Sequence, residues 1–391
     1  EELTIDEKLI FLFHVDLEIE RLFYRKDNEN VFLRVLDENR KLNREQTKKL
    51  EYDKFIRKYE DELVDEFEKD DLDTKLLEEY KKKLNYQGDA IELLYKRHLV
   101  IRKDDLYVFK KSAILLFARD PEKYIPSASV RYIRYDGTEA LTGTAHNVIK
   151  DQRFENNIPR LIDEIKIFLN TSLKDFYFLD IQTGKFKHIM EYPEEAWLEG
   201  VVNALCHRSY NIQGSSVYIK HFDNRIEISN SGPLPAQVTV DNIKTERYSR
   251  NPRIARVLED LGYVRQLNEG VARIYESMEK SMLSKPEYME INKNVYLTLR
   301  NKISDHSRTI QEHVILHIEN QWKNYNNTQQ KILVHLFVRP NATVRDLGGV
   351  VNINLNTIRS YLNGFIEEGI IERKSDKIRD INAKYNFKKR V

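Results

Sequence analysis

The stretch Glu194-Glu195-Ala196-Trp197-Leu198-Glu199-Gly200-Val201-Val202-Asn203-Ala204-Leu205-Cys206-His207-Arg208 constrains the chain more than any other. Glu199, Asn203 and His207 recur at i, i+4 and i+8, so on a helix they drift only slightly around one face. Ala196, Trp197, Val201, Val202, Ala204 and Leu205 fill the remaining surface. The spacing therefore predicts a helix buried on most sides that carries a carboxylate, an amide and an imidazole in one stripe. Such a stripe is either the solvated edge of an amphipathic helix or the wall of a polar site. The chemistry that fits a site is nucleotide and metal. A carboxylate takes a proton from an attacking water, and an amide oxygen is a hard ligand for Mg²⁺.

The residues that follow favour a site. After a turn at Gly214, the alternating runs Ser216–Phe222 and Arg225–Ser229, joined by Asp223-Asn224, predict a β-hairpin. The second run leads directly into Asn230-Ser231-Gly232-Pro233-Leu234-Pro235, and Leu267-Asn268-Glu269-Gly270-Val271 opens another helix.

This order of parts resembles the ATP-binding domain of the GHKL superfamily, the Bergerat fold of gyrase-type topoisomerases, Hsp90, histidine kinases and MutL. Its nearest variant is the subgroup of bacterial proteins described as RecG-like or as transcriptional regulators, whose helix reads E-x-x-x-N-A-x-x-H-R-x-Y. Glu199 to Tyr210 is similar to that string, and Arg225 to Pro235 to its strand and loop. The resemblance covers roughly residues 125–300. It implies ATP and Mg²⁺ as cofactors, Glu199 as general base and Asn203 as the Mg²⁺ ligand, with His207 in the same stripe. It further implies Asn230 and Gly232 in the adenine loop and Gly270 as the remnant of the phosphate loop. The polar, basic run Asn242–Pro252 then corresponds to the lid, with Arg247 and Arg250 either closing over the γ-phosphate or simply solvated.

Two departures weaken the implied catalysis. Asn230 stands where most of the superfamily has Asp, so its side-chain oxygen accepts from the adenine amino group without charge assistance. Leu234 replaces the second glycine of that loop, and Asn268-Glu269-Gly270 replaces a glycine-rich one, leaving fewer positions for close backbone approach to phosphate. Slow hydrolysis, or binding alone, is the expectation.

Composition sets the remaining bounds. At 391 residues the chain has room for two to four domains, and 64 Lys and Arg against 63 Asp and Glu give no global argument for nucleic acid. With 41% hydrophobic and 32% charged residues it reads as globular. No apolar run approaches the roughly 18 to 20 residues of a membrane span. Cys206 is the single cysteine, which fits a cytoplasmic protein and reads as core filler. Because the first residue is Glu, an upstream part is expected.

Along the chain, Ile5–His14 reads as a helix, Asn30–Leu36 as extended and Asn43 onward as a basic helix. Val31–Lys48 resembles the end of the Schlafen/Alba-like domain of the same RecG-like proteins, so 1–50 is assigned to its C-terminal part, without catalysis. Residues 51–125 read as a solvated helical connector followed by a small bridging unit, which comprises a helix at 89–98, a hairpin at 99–110 and a helix at 112–117. Residues 126–303 form the GHKL-like domain, whose sheet takes strands from Ser127–Tyr135 and Phe176–Ile189, with an amphipathic helix at 157–168. A charged helix at 306–320 and a linker occupy 304–327.

Residues 328–391 predict three short helices and a terminal hairpin, which resembles a winged helix-turn-helix domain. Leu355, Ile358, Leu362, Phe365 and Ile366 give the third helix its buried face. Asn354, Asn356, Thr357, Arg359 and Ser360 are left outward as a hydrogen-bonding set for the major groove, and Arg373, Lys374 and Lys377 flank the wing. This segment holds twelve Lys and Arg against six Asp and Glu, net +6, so the remainder carries about −5 against the whole-chain +1. A winged helix used for protein contacts is the competing reading.

The expected fold class is α+β, a GHKL-like α/β sandwich followed by a winged helix, with a mixed helical N-terminal region. The expected function is an ATP-responsive regulator of transcription that binds double-stranded DNA as a homodimer, without membrane association. The alternative is a Mg²⁺-dependent ATPase subunit of a DNA-processing or phage-defence system.

Overall fold

The computed structural model describes residues 2–388 apart from 6–7, 12–13, 15–20, 105, 181–184, 236, 247, 265–269, 282, 302–313, 315–317, 352, 376–379 and 381. It divides into two compact units, Glu1–Ser172 with Tyr192–Arg300, and Leu173–Glu191 with Asn301–Val391. Among the described residues no helix is long and apolar enough to cross a membrane.

The first unit opens with the hairpin β1 (Glu2–Ile5) and β2 (Lys8–Phe11), where a helix was expected. Leu3, Ile5, Leu9 and Phe11 recur with a period of two on runs only four residues long, too short for a helical period to prevail. A second hairpin, β3 (Phe32–Val35) and β4 (Glu38–Lys41), precedes α1 (Arg44–Asp53), which starts at a reciprocal capping box between Asn43 and Gln46.

The expected solvated connector is instead a folded layer. Past a 3₁₀ turn at Tyr59–Asp61 come β5 (Leu63–Val64), α2 (Thr74–Lys83), α3 (Ala90–Lys96), β6 (Val100–Lys103), β7 (Leu106–Lys110) and α4 (Lys111–Phe117). Most of its sparse apolar residues point inward: Phe67, Leu72, Leu76 and Leu77 are buried, as is every residue of α4 from Ser112 onward. A low apolar count therefore hid a complete hydrophobic face.

The central sheet starts with β8 (Ser129–Tyr135) and β9 (Val148–Glu155), followed by α5 (Ile158–Ser172). β10 (Asp175–Asp180) and β11 (Lys185–Met190) pair with each other and belong to the second unit, although they were expected to extend this sheet. Then come α6 (Glu194–His207), β12 (Val217–His221), β13 (Arg225–Ser231), α7 (Pro252–Leu261), α8 (Gly270–Lys280), β14 (Glu287–Ile291) and β15 (Asn294–Arg300). The six strands lie in the order β14-β15-β13-β12-β8-β9, antiparallel except for the parallel pair β12 and β8. α6 packs on β13, flanked by α5 and α8.

In the second unit α9 (Asn327–Val338), α10 (Val344–Val351) and α11 (Leu355–Glu367) precede the wing, β16 (Ile371–Lys374) and β17 (Lys384–Phe387). Ile332, Leu333, Leu336, Leu347, Ile358, Leu362 and Phe365 form its core. Leu355, expected on the buried face, is 38% exposed. It is the first residue of α11 and rests on Gly348, where a Cβ would lie 2.7 Å from Leu355 Cδ2. The helix expected at 306–320 falls largely outside the described residues, which give a 3₁₀ helix at Glu319–Asn324.

Candidate functional site

Gly200 fixes how the polar stripe of α6 is presented. A Cβ there would lie 2.7 Å from Leu297 Cδ2 and 2.9 Å from Ile228 Cδ1, so glycine lets the helix rest directly on β13 and β15. Glu199, Asn203 and His207 then line one cavity of about 420 Å³, within the range of small-molecule sites. The facing wall comes from Ile228 and Asn230 on β13, Tyr288 on β14, and Val295 and Leu297 on β15. The loop after β13 and the start of α8 close the remainder. All seven positions assigned to nucleotide from the sequence border this cavity: Glu199, Asn203, His207, Asn230, Gly232, Arg250 and Gly270.

The Glu199 side chain is 11% exposed, and Arg273 on α8 donates to its Oε2 at 2.6 Å. Burial raises its pKa, against the Arg273 charge and the Asn203 amide, which both favour the carboxylate. Gly270 sits directly over it, since a Cβ there would come within 2.2 Å of Glu199 Oε1. The Asn203 Nδ2 is buried beside that carboxylate and makes no hydrogen bond of regular geometry. Burial, then the Arg250 charge, lowers His207 to about 4, so its imidazole is neutral near pH 7.

What bears on Mg²⁺ is the donor set on the cavity wall, where Asn203 brings an amide oxygen, a hard ligand, next to the Glu199 carboxylate. No cluster of three His, Cys, Asp or Glu able to hold a metal occurs among the described residues. A single amide ligand beside a carboxylate still fits an ion that keeps most of its waters and shares them with phosphate. Asn203 would hold it, and it would supply charge neutralisation.

Arg250 is a brace rather than a solvated lid residue. Its guanidinium donates to Ser209 Oγ at 3.1 Å and to the Pro233 carbonyl at 2.5 Å, and stacks 4.5 Å from the Phe55 ring. Burial lowers its pKa to about 10, which leaves it charged. Gly232 has φ +112°, and a Cβ would meet Ser209 Cβ at 2.6 Å, so this loop requires glycine twice over. Arg247 lies outside the described residues.

Sequence reasoning overlooked several supporting groups. Asn251 donates to the carbonyls of Cys206 at 2.9 Å and Arg208 at 2.8 Å, closing the end of α6. Arg208 is fully buried and donates to the Ser127 and Ser215 carbonyls, and the Tyr210 hydroxyl returns to Leu205 O at 2.8 Å. The string His207-Arg208-Ser209-Tyr210 is therefore mostly a helix terminus. Glu60, 1% exposed, accepts from Arg253 N at 3.0 Å and Ile254 N at 3.1 Å at the start of α7. Burial raises its pKa to about 7 despite those donors. Arg273 had a visible signal, because a cation in the first turn of a helix opposes the dipole and calls for a nearby anion.

In the second unit Asn354, Asn356, Thr357, Arg359 and Ser360 are all exposed along α11. Asn354 caps the helix, accepting from Asn356 N at 2.8 Å, and Arg359 donates to Asn356 Oδ1 at 2.7 Å, so three of the five are partly engaged with one another. On the wing Arg373 is half-buried, whereas Lys374 is exposed and 3.5 Å from Glu372. Lys377 lies outside the described residues.

Residues 214–299 match the family model described as "Putative ATP-dependent DNA helicase recG C-terminal", and residues 325–372 match the one described as "Winged helix-turn-helix DNA-binding". No curated protein matches the chain. Among solved structures, the DIP2311 protein from Corynebacterium diphtheriae is similar with a TM-score of 0.53 at 18% identity, over 92% of this chain and 70% of that one. At that identity the likeness is one of fold. The chain is thus an α+β protein that carries an ATPase-like domain and a winged helix-turn-helix domain.

Proposed function

We propose that the cavity under α6 takes ATP with Mg²⁺ and that its occupancy controls docking of the winged helix on double-stranded DNA, as a homodimer on paired half-sites. The observation that carries this reading is the convergence of Glu199, Asn203, Asn230 and Gly270 on one cavity inside an ATPase-like domain. Glu199 is the group that would orient and deprotonate water, Asn203 the ligand for the metal. Asn354, Asn356, Thr357, Arg359 and Ser360 face the groove, and Arg373, Lys374 and Lys377 face phosphate.

A second reading, a Mg²⁺-dependent ATPase subunit of a DNA-processing or phage-defence system, is favoured by Glu199 itself. Its raised pKa brings a carboxylate closer to the range in which a general base works at neutral pH. Thermal melts and steady-state turnover with ATP and Mg²⁺ test both readings. Binding stabilises the folded state by mass action, and Asn203→Ala should remove the Mg²⁺-dependent part of that shift. Glu199→Gln should keep the shift and lose roughly 10²–10⁴-fold in any turnover. Binding without turnover in the wild type supports the regulator, and no shift with ATP rejects both readings.

A further inference from the structure

We propose that the base end of this cavity reads nucleobases through an amide free to turn either way, so that guanine and hypoxanthine nucleotides bind alongside adenine nucleotides. The proposal rests on the nucleotide reading above and specifies its substrate class.

The wall built by β13 and β15 is apolar at Ile228, Val295 and Leu297, and Asn230 is the one hydrogen-bonding side chain among them. A flat apolar wall with a single amide suits a planar heterocycle that buries its faces and presents one polar edge. The backbone on both sides of Asn230 is fixed. Asn230 itself pairs with Val295 in the sheet, and Gly232 N donates to Lys293 O at 2.9 Å. The Asn230 side chain is half-buried and makes no hydrogen bond among the described residues, so nothing holds its amide in one orientation.

An unlocked amide offers a donor and an acceptor side by side, and a half-turn about its last torsion exchanges them. Adenine presents the N6 amino donor next to the N1 acceptor. Guanine and hypoxanthine present the O6 acceptor next to the N1–H donor. One Asn satisfies either edge with two hydrogen bonds. A carboxylate at the same place only accepts, so it would meet adenine through the amino group alone and hypoxanthine through N1–H alone, each beside an acceptor of like polarity, whereas guanine offers it two donors, N1–H and the 2-amino group. The sheet position therefore fixes where the base is read, and the residue type widens what is read there.

Isothermal titration of the full chain with ATP, GTP and ITP, each with Mg²⁺, tests this. The expected result is binding of all three within about tenfold of one another, and for Asn230→Ala a weakening of all three by similar factors of roughly tenfold. Should Asn230→Ala fail to fold, Asn230→Asp takes its place, with ATP and ITP weakened relative to GTP expected and weakening of GTP alone contradicting the proposal. ATP binding with GTP and ITP silent, or an Ala variant that weakens ATP alone, overturns the proposal and leaves the nucleotide reading standing. Failure of all three to bind removes that reading and the proposal with it.

Discussion

The guanidinium of Arg273 reaches back from the first turn of α8 to Glu199 Oε2 at 2.6 Å, and the residue that opens the same helix, Gly270, has no side chain where the Glu199 carboxylate lies. A cation at a helix N-terminus is unfavourable by itself. Here the opposing carboxylate offsets it, and the pair joins α8 to α6.

Removing one partner should therefore cost more than removing both. Arg273→Met leaves Glu199 buried without a counter-charge and is expected to lose about 1–3 kcal/mol, below the cost of a fully buried pair because Arg273 is 28% exposed. The double variant with Glu199→Gln should lose less than the sum of the singles. Denaturant titrations of the four proteins check this, and strict additivity would show that the ion pair contributes nothing.

Glu60 gives a pH dependence with a definite sign. Its folded-state pKa of about 7 lies above the ordinary 4.5, so the native state holds the proton more tightly than the unfolded chain. Its contribution is fully present below about pH 4.5 and is lost as pH rises through 7, up to about 3 kcal/mol. Glu60→Gln keeps an acceptor for Arg253 N and Ile254 N and removes the titration. The stability of the variant relative to wild type should rise steadily between pH 4.5 and 7. A constant difference across that window would assign the decline to other groups.

Three glycines should respond differently to a single methyl group. Gly270→Ala drives Cβ to within 2.2 Å of Glu199 Oε1, and Gly232→Ala combines φ +112° with a 2.6 Å approach to Ser209 Cβ. Each is expected to lower stability by about 1–3 kcal/mol. Gly349, inside α10 with nothing within 4 Å of its added Cβ, should gain about 0.5–1 kcal/mol as Ala. Melting temperatures in the reverse order would contradict the packing described for α6 and α8.

On the proposed docking of the winged helix on duplex DNA, contacts to phosphate and contacts to bases should separate by their salt dependence. Neutralising Arg373, Lys374 and Lys377 should weaken binding to every duplex and reduce the slope of log affinity against log salt by about 0.9 for each phosphate that is no longer neutralised. Replacing Asn356 and Ser360 by Ala should erode preference among sequences, by about 1–3 kcal/mol for each well-paired base. Gel shifts on specific and random duplexes at several salt concentrations show both effects, and absence of duplex binding at low salt would favour a protein partner.

How much of this could be read in advance depended on the range of the interaction. The stripe of α6, the hairpin of β12 and β13, the Pro252 start of α7 and the three helices of the second unit are local patterns, and the structure reproduces them. The partners of that stripe are not local. Arg273 is 74 positions from Glu199, and Glu60 is 193 and 194 positions from the α7 donors it accepts. Spacing carries no record of such pairings. Arg250 illustrates the same limit. Its loop composition reads as solvated, yet three groups from different segments, Phe55, Ser209 and Pro233, enclose it.

The layer between residues 54 and 117 bears on how far this protein is modular. Glu60 terminates the N-terminal turn of α7, Asp61 binds Arg253 at 2.5 Å, and at the other end Tyr80 and Arg97 both hold Asp260, at 2.6 and 3.0 Å. α2 and α4 also cover the side of α7 that carries Ile254, Val257 and Leu258. A fragment cut at residue 126, the expected start of the ATPase-like domain, would strand two helix-end donors and an aspartate and bare three aliphatic side chains. The smallest piece able to stand alone must begin upstream of Glu60. In any transplant or recombination of this domain, the segment before it travels as part of the same heritable unit.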